Sequence, residues 1–230
     1  MRLDKYITKS TELTRNEAKR LLKSGQITVD GEIVKNGAFK VEEGAEIKVD
    51  GSVLTLIGQR YIMMNKPQDV ICSNVDEVHP SILHFLEVDR AFELHIAGRL
   101  DADTTGLVLI TDDGKWSHNI ISPKKQCKKT YRVWLRDKIT PQAIAELESG
   151  VQLNNEKGLT LPATIEVIND DEVLLTIMEG KYHQVKRMFA AVGNFVEALH
   201  RESIGNIILD DDLMLGEWRY LTEQEIALFS

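Results

Sequence analysis

The sequence predicts an α+β fold in two domains, a small leading unit over residues 1–58 and a larger sheet domain over residues 59–230. Three observations predict it. Short strand-like runs outnumber helical ones, and regular alternation of strands with long helices is absent, which favours a mixed, mainly antiparallel sheet with helices packed on it. The first fifty residues follow a different pattern, two short helices and then Asp-Gly turns between strands. At 230 residues the chain can bury a sizeable core and form more than one domain.

Composition narrows the class. The formal net charge of −8 argues against a generally cationic surface but leaves room for a local nucleic-acid face. Cys72 and Cys127 are far apart and form no metal-ligand cluster, so a reducing compartment is expected. The start, Met1-Arg2-Leu3-Asp4, lacks the apolar run of a signal peptide, and no stretch has the length of a membrane helix. A soluble cytoplasmic protein without a membrane partner is the expectation, and a monomer by default.

Leu3, Tyr6 and Ile7 recur at helical spacing. Thr14 and Glu17 form a capping box before a second helix with Ala18, Leu21 and Leu22 on its apolar face, and Gly25 ends it. Ile27-Thr28-Val29 and Ile33-Val34 flank an Asp30-Gly31 turn; Ile47-Lys48-Val49 precedes Asp50-Gly51. Residues 1–40 hold nine Lys or Arg against five Asp or Glu, so these helices suit phosphates better than the whole chain does. A solvated surface helix is the plainer reading of the same charge.

Residues 52–60 read as a linker. Strands are expected at Tyr61–Met64 and Val70–Cys72, and a short amphipathic helix over Ile82–Leu86. Leu94–Ala97 leads into Gly98-Arg99-Leu100-Asp101-Ala102-Asp103-Thr104-Thr105-Gly106, and the apolar run Leu107–Ile110 reads as a buried strand. Trp116–Ile121 suggests one or two helical turns. Lys124, Lys125, Lys128, Lys129 and Arg132 form the strongest basic run, with no acid between Ser122 and Leu135. It suits a phosphate path or a lysine-protected strand edge. Tyr131, Val133 and Leu135 alternate as on a strand. Thr140-Pro141 starts a helix ending at Gly150. Residues 163–168 and 173–177 form a hairpin across Asn169-Asp170-Asp171. A helix begins near His183 and ends at Gly193-Asn194, a strand follows from Val196, and the tail carries a helical signal over Thr222–Leu228.

Asp101 and Asp103 are the obvious acids. Three readings stay open from the residues alone: solvated loop caps, ligands of a divalent ion, or acid and nucleophilic work at a glycosidic bond. Gly98 permits unusual backbone geometry, Arg99 has forked donors for phosphate, and Lys186 is a cation that would favour an ionised Asp101.

Two resemblances organise these features. Arg2-Leu3-Asp4-Lys5, Thr14-Arg15-Asn16-Glu17-Ala18, Leu21-Leu22-Lys23-Ser24-Gly25 and Ile27-Thr28-Val29-Asp30-Gly31 resemble an S4 RNA-binding domain, which implies RNA contacts at Arg15, Lys19 and Arg20. Residues 61–209 resemble the catalytic domain of a pseudouridine synthase of the RsuA/RluB/E/F type, through Asn65-Lys66-Pro67, Gly98-Arg99-Leu100-Asp101 with Thr104-Thr105-Gly106-Leu107, Lys129-Thr130-Tyr131, His183-Gln184-Val185-Lys186-Arg187-Met188 and Leu199-His200-Arg201-Glu202-Ser203-Ile204-Gly205. That resemblance implies Asp101 as the chemical residue rather than Asp103, Tyr131 as the active-site tyrosine, Lys186 as its basic partner and Leu199 beside the target base. It makes Arg99 a candidate for occupying or stabilising the flipped-out backbone. It implies isomerisation of uridine in RNA without a cofactor or metal. Lysine at 186 resembles the branch acting on small-subunit (16S) ribosomal RNA, free or in an assembly intermediate; the large-subunit branch and a silent ribosome-assembly protein are the alternatives. Asp69 departs from the family, which commonly has glycine there.

Overall fold

The computed structural model describes residues 1–11, 13–56 and 58–230. The chain divides into two compact units, Met1–Gln59 and Arg60–Ser230.

In the first unit, α1 (Leu3–Ser10) and α2 (Arg15–Ser24) precede β1 (Ile27–Val29), β2 (Glu32–Ile33), β3 (Ile47–Val49) and β4 (Ser52–Val53). The capping box forms: Glu17 N–H donates to Thr14 Oγ1 and Thr14 N–H donates to Glu17 Oε2 at 2.7 Å. Gly25 ends α2 in the left-handed region, φ 79°. Asp30-Gly31 and Asp50-Gly51 each take two positive φ values, the tight hairpin turn whose twist matches the strands it joins. The expected linker over 52–60 therefore starts later, because Ser52–Val53 pairs with β3. Leu3, Ile7, Ala18 and Leu22 cover Ile27, Val29 and Ile47, so the helix stripe and the strand face close one small core. Arg15, Lys19 and Arg20 stay exposed on α2.

The second unit runs β5 (Tyr61–Lys66), β6 (His95–Ala97), β7 (Thr105–Thr111), α3 (Gly114–Ile121), β8 (Lys129–Leu135), α4 (Pro141–Ser149), β9 (Thr164–Asn169), β10 (Glu172–Ile177), α5 (Gln184–Ala191), β11 (Val196–Ile204), β12 (Ile207–Ile208), β13 (Trp218–Tyr220) and α6 (Glu223–Ala227). Its sheet has the order β13-β5-β7-β11-β8-β10-β9, with β12 on β11 and β6 on β7. Among the described residues, β7 and β11 are the one pair of strands that runs parallel. Each residue of the central run is buried because the sheet is covered on both faces. Val108 and Ile110 enter one core with Tyr131, Val133 and Leu199, while Leu107 and Leu109 enter the other with Trp116 and Ile120. Val70–Cys72 departs from the expected strand, since Ile71 makes only a single bridge, to Ser81. The stretch over Ile82–Phe85 is a 3₁₀ turn.

One arrangement positions the site. β7 gives one edge to β5, and divides the other between β6, at Leu109–Thr111, and β11, at Thr105–Gly106. The segment joining β6 to β7 must arch away from the sheet to let β11 in. That segment is residues 98–104.

Arg219, on a strand the sequence did not reveal, ties the chain end together. Its guanidinium donates to Asp210 and to Glu225, at 2.5 and 2.8 Å. The Arg219 hydrogen bonds hold Glu225 down to about 2, against the raising effect of burial. A depressed carboxylate contributes stability that is present above its unfolded pKa, near 4.5, and is lost as pH falls through the folded value. Arg219→Met is therefore expected to cost roughly 1–2 kcal/mol at neutral pH, discounted for solvent screening. The difference from wild type should shrink as pH drops from about 4.5 to 2, read from urea midpoints along that series. A pH-independent difference would refute this account of the tail.

Candidate active site

The arch over residues 98–104 is nailed down at several points. Gly98 takes φ 90°, and its carbonyl accepts from Arg201 Nη2 at 2.6 Å. Leu100 is buried and its N–H meets Cys72 Sγ at 3.3 Å. The fully buried Lys66 donates through Nζ to the carbonyls of Pro67, Ala102 and Thr104, at 2.9, 3.2 and 2.8 Å. Burial lowers the Lys66 pKa, and Cys72 and the aspartates of the loop work against that. Asp69 N–H donates to the Ala102 carbonyl at 2.9 Å from a left-handed backbone, φ 62°. That conformation favours glycine and is tolerated by aspartate, which is the physical reason the departure at position 69 leaves the loop intact.

Within this frame Thr104 N–H donates to the Asp101 carbonyl at 3.1 Å, so the two acids sit on a turn. Both face Lys186, on the first turn of α5. Its Nζ lies 2.6 Å from Asp103 Oδ1 and 3.5 Å from Asp101 Oδ2. The expected pairing of Lys186 with Asp101 is thus the longer of two contacts. The space between the carboxylates, where one reading put a divalent ion, holds this ammonium. His183 Nε2 lies 3.4 Å from Asp101 Oδ1. Burial pushes the Asp103 carboxyl up, but the Lys186 hydrogen bond and charge, with a backbone hydrogen bond and His183 beside them, outweigh it and leave the pKa lowered. Asp103 therefore stays ionised and holds Lys186 closely. Asp101, about one-third exposed, meets its cations only at the edge of hydrogen-bond range and keeps its lone pairs available.

Opposite the loop stand two strands. Tyr131 on β8 pairs in register with Arg201 on β11. Arg201 is 1% exposed. Besides Gly98 it donates from Nε to the Leu107 carbonyl at 2.8 Å and from Nη1 to the Tyr131 hydroxyl oxygen at 3.4 Å. One guanidinium thus ties the arch, β7 and the tyrosine together. Leu199, two residues earlier on β11, is buried beside them. Thr105 Oγ1 lies 2.8 Å from His200 Nδ1; burial lowers the pKa of His200, which favours a neutral imidazole in this tie between β7 and β11.

Arg99 and Asp101 on the arch, with Tyr131, Lys186 and Leu199 remote from them in sequence, line one cleft of about 800 Å³. A carboxylate on a braced turn, a facing cation and an apolar wall with one tyrosine suit a reaction at a nucleoside. The comparisons with known proteins then decide the family. Residues 60–191 match the model of RNA pseudouridylate synthase, and residues 1–47 match the S4 domain. The chain belongs to the RNA pseudouridylate synthase family. It is 55% identical over 228 residues to the ribosomal small subunit pseudouridine synthase A of Vibrio parahaemolyticus, covering 98% of each chain. It is 54% identical to the protein of that name from Escherichia coli K12, covering 99% of each. A solved pseudouridylate synthase matches the whole of both chains at 47% identity and a TM-score of 0.73.

Not every expected contact residue of the synthase is free for RNA. Lys124, Lys125 and Lys128 are exposed. Lys129 is not: it is buried, its ammonium donates to the Cys127 carbonyl at 3.2 Å, and burial lowers its pKa. Arg132 lies between Glu202 and Glu172, at 2.5 and 2.6 Å, so its charge is already matched. Lys129 takes a buried position on β8, and Arg132, on the opposite face, is held by acids of the flanking strands, which the run of basic letters conceals. Conversely Arg201 and Lys66 went unassigned, although each lies inside a motif the sequence displays.

Arg201→Lys is expected to lower stability by about 2–3 kcal/mol, because the three acceptors are met by three different guanidinium nitrogens and a single ammonium lacks the fork that reaches them, and stranded buried acceptors cost about 1–3 kcal/mol each. The rate at saturating RNA should fall at least about tenfold as the loop loosens. Urea melts and saturation kinetics check both.

Proposed function

We propose that the synthase converts a specific uridine of bacterial small-subunit (16S) ribosomal RNA to pseudouridine, with Asp101 as the reacting carboxylate. The observation that carries the reading is the convergence of Asp101, Lys186, Tyr131 and Leu199 on one cleft. The named relatives, similar over nearly their whole length, support the small-subunit substrate.

In the reaction the N1–C1′ bond breaks, the uracil turns, and C5 bonds to C1′. The C5 proton leaves and N1 gains one, so the change is an isomerisation with no hydrolysis and no redox step. A stacked uridine is out of reach, so the nucleotide must be single-stranded or extruded. Asp101 attacks C1′, removes the 2′ proton, or adds to C6; each route uses the same carboxylate. Lys186 holds both carboxylates in place and stabilises the charge of Asp101. Leu199 bounds the base, and Tyr131 lies against it and assists loss of the C5 proton. Arg99, exposed on the arch, braces the extruded backbone. Lys124, Lys125 and Lys128 guide phosphates, and Arg15, Lys19 and Arg20 add contacts through the S4 domain. The enzyme acts in the cytoplasm as a monomer.

Release of tritium from uracil C5 tests this reading. Small-subunit RNA, free or in an assembly intermediate, should lose label while large-subunit RNA keeps it. Release from the large-subunit RNA alone would reject the substrate, and release from neither would leave an RNA-binding protein without this activity.

A further inference from the structure

One feature of the cleft has no part in the chemistry above. The Tyr182 and His183 rings stack at 3.7 Å between centroids, 22° from parallel, with Tyr182 75% exposed. The pair is built rather than loose. The Tyr182 carbonyl accepts from Arg187 Nη1 at 2.9 Å, and Arg187 is itself held by Glu156 at 3.2 Å and by the Asn154 carbonyl. The Gln184 side chain accepts from Lys181 N–H and donates to Glu179, both at 2.8 Å. His183 sits in the left-handed region at φ 47°, a conformation costly for a non-glycine residue that recurs at functional sites. Its imidazole meets Asp101 edge-on through Nε2 and Tyr182 face-on.

An aromatic ring held at the mouth of an RNA cleft, one imidazole away from the reacting carboxylate, is a surface on which a base can stack. We propose that Tyr182, backed by His183, is a stacking subsite for the nucleobase next to the extruded uridine. The inference rests on the assignment of Asp101 as the reacting group. The extruded uridine leaves a neighbour without its stacking partner, and Tyr182 replaces that partner. Stacking reads a π-face, so this subsite holds the neighbour without dictating its identity.

The test joins protein and RNA changes. Small-subunit RNA is ligated with an abasic site on either side of the modified uridine, and Kd and saturated tritium release are measured for wild type, Tyr182→Ala and Tyr182→Phe. Tyr182→Ala should weaken binding about 5- to 100-fold, as expected for one stacked base. Tyr182→Phe should stay within about twofold of wild type. One of the two abasic RNAs should weaken wild type by a similar factor and leave Tyr182→Ala almost unaffected, with saturated release little changed. If both abasic sites weaken Tyr182→Ala as much as wild type, the subsite is wrong while Asp101 stands. If wild type releases no label from intact RNA, the assignment of the reaction fails and the subsite with it.

Discussion

Asp101→Asn is expected to abolish C5 tritium release, a loss of at least about 10⁴-fold, with RNA affinity within about twofold of wild type. The amide keeps the shape of the carboxylate but has neither its charge nor its nucleophilic oxygen, so each candidate route stops at its first step. The backbone ties of the loop run through Gly98, Leu100, Ala102 and Thr104 rather than through the Asp101 side chain, so the fold should survive. Asp103→Asn is the contrasting variant. It removes the charge from the 2.6 Å partner of Lys186 and leaves Asp101 as the carboxylate facing that ammonium. Its expected cost is at most about tenfold, because it changes the support of the site and leaves the reacting group in place. Single-turnover release and filter binding on the two variants separate the acids. Full release by Asp101→Asn, or an equal collapse in both, would defeat the distinction.

Gly106→Ala is expected to be the most destabilising single-atom addition near the site. Gly106 takes φ 106°, and a Cβ there would lie 2.4 Å from the Arg201 carbonyl oxygen and 2.5 Å from its nitrogen. Those are backbone atoms of a strand paired on its other side with β8, so they cannot yield as a side-chain end would. Gly106 stands opposite Arg201 in the parallel contact between β7 and β11. Alanine must push the strands apart at the point where the arch leaves the sheet. A loss of more than about 4 kcal/mol, or failure to recover soluble protein, is expected. Urea unfolding measures it, and stability within about 1 kcal/mol of wild type would show that the junction yields.

Much of this was legible locally. The Thr14–Glu17 box, the Asp-Gly turns, Thr140-Pro141 and the Asn169–Asp171 turn each act through neighbours in sequence, so local chemistry decides them. Short segments with tertiary roles were not. Trp218–Tyr220 becomes a strand because β5 offers it an edge. Val70–Cys72 fails as one because its pairing stops at an isolated bridge between Ile71 and Ser81. At the site, Asp101, Tyr131, Lys186 and Leu199 could be singled out by motif, and the shared cleft supplies their geometry. The sharing of Lys186 between two acids depends on a turn that letter spacing does not encode. Arg201 read as one more basic letter, and only the sheet order shows that it must be buried. Lys129 and Arg132 show the opposite error, in which a charge run looks like a surface until strand alternation turns its members inward or towards acids.

The central claim is that Asp101 of this synthase makes pseudouridine in small-subunit ribosomal RNA. Mapping pseudouridines in ribosomal RNA from a strain lacking the protein tests it most directly, with wild type or Asp101→Asn returned on a plasmid. One small-subunit site should be missing from the deletion strain, return with wild type, and stay absent with Asp101→Asn. A mark missing from large-subunit RNA while the small subunit is complete, or a small-subunit mark restored by Asp101→Asn, would contradict it.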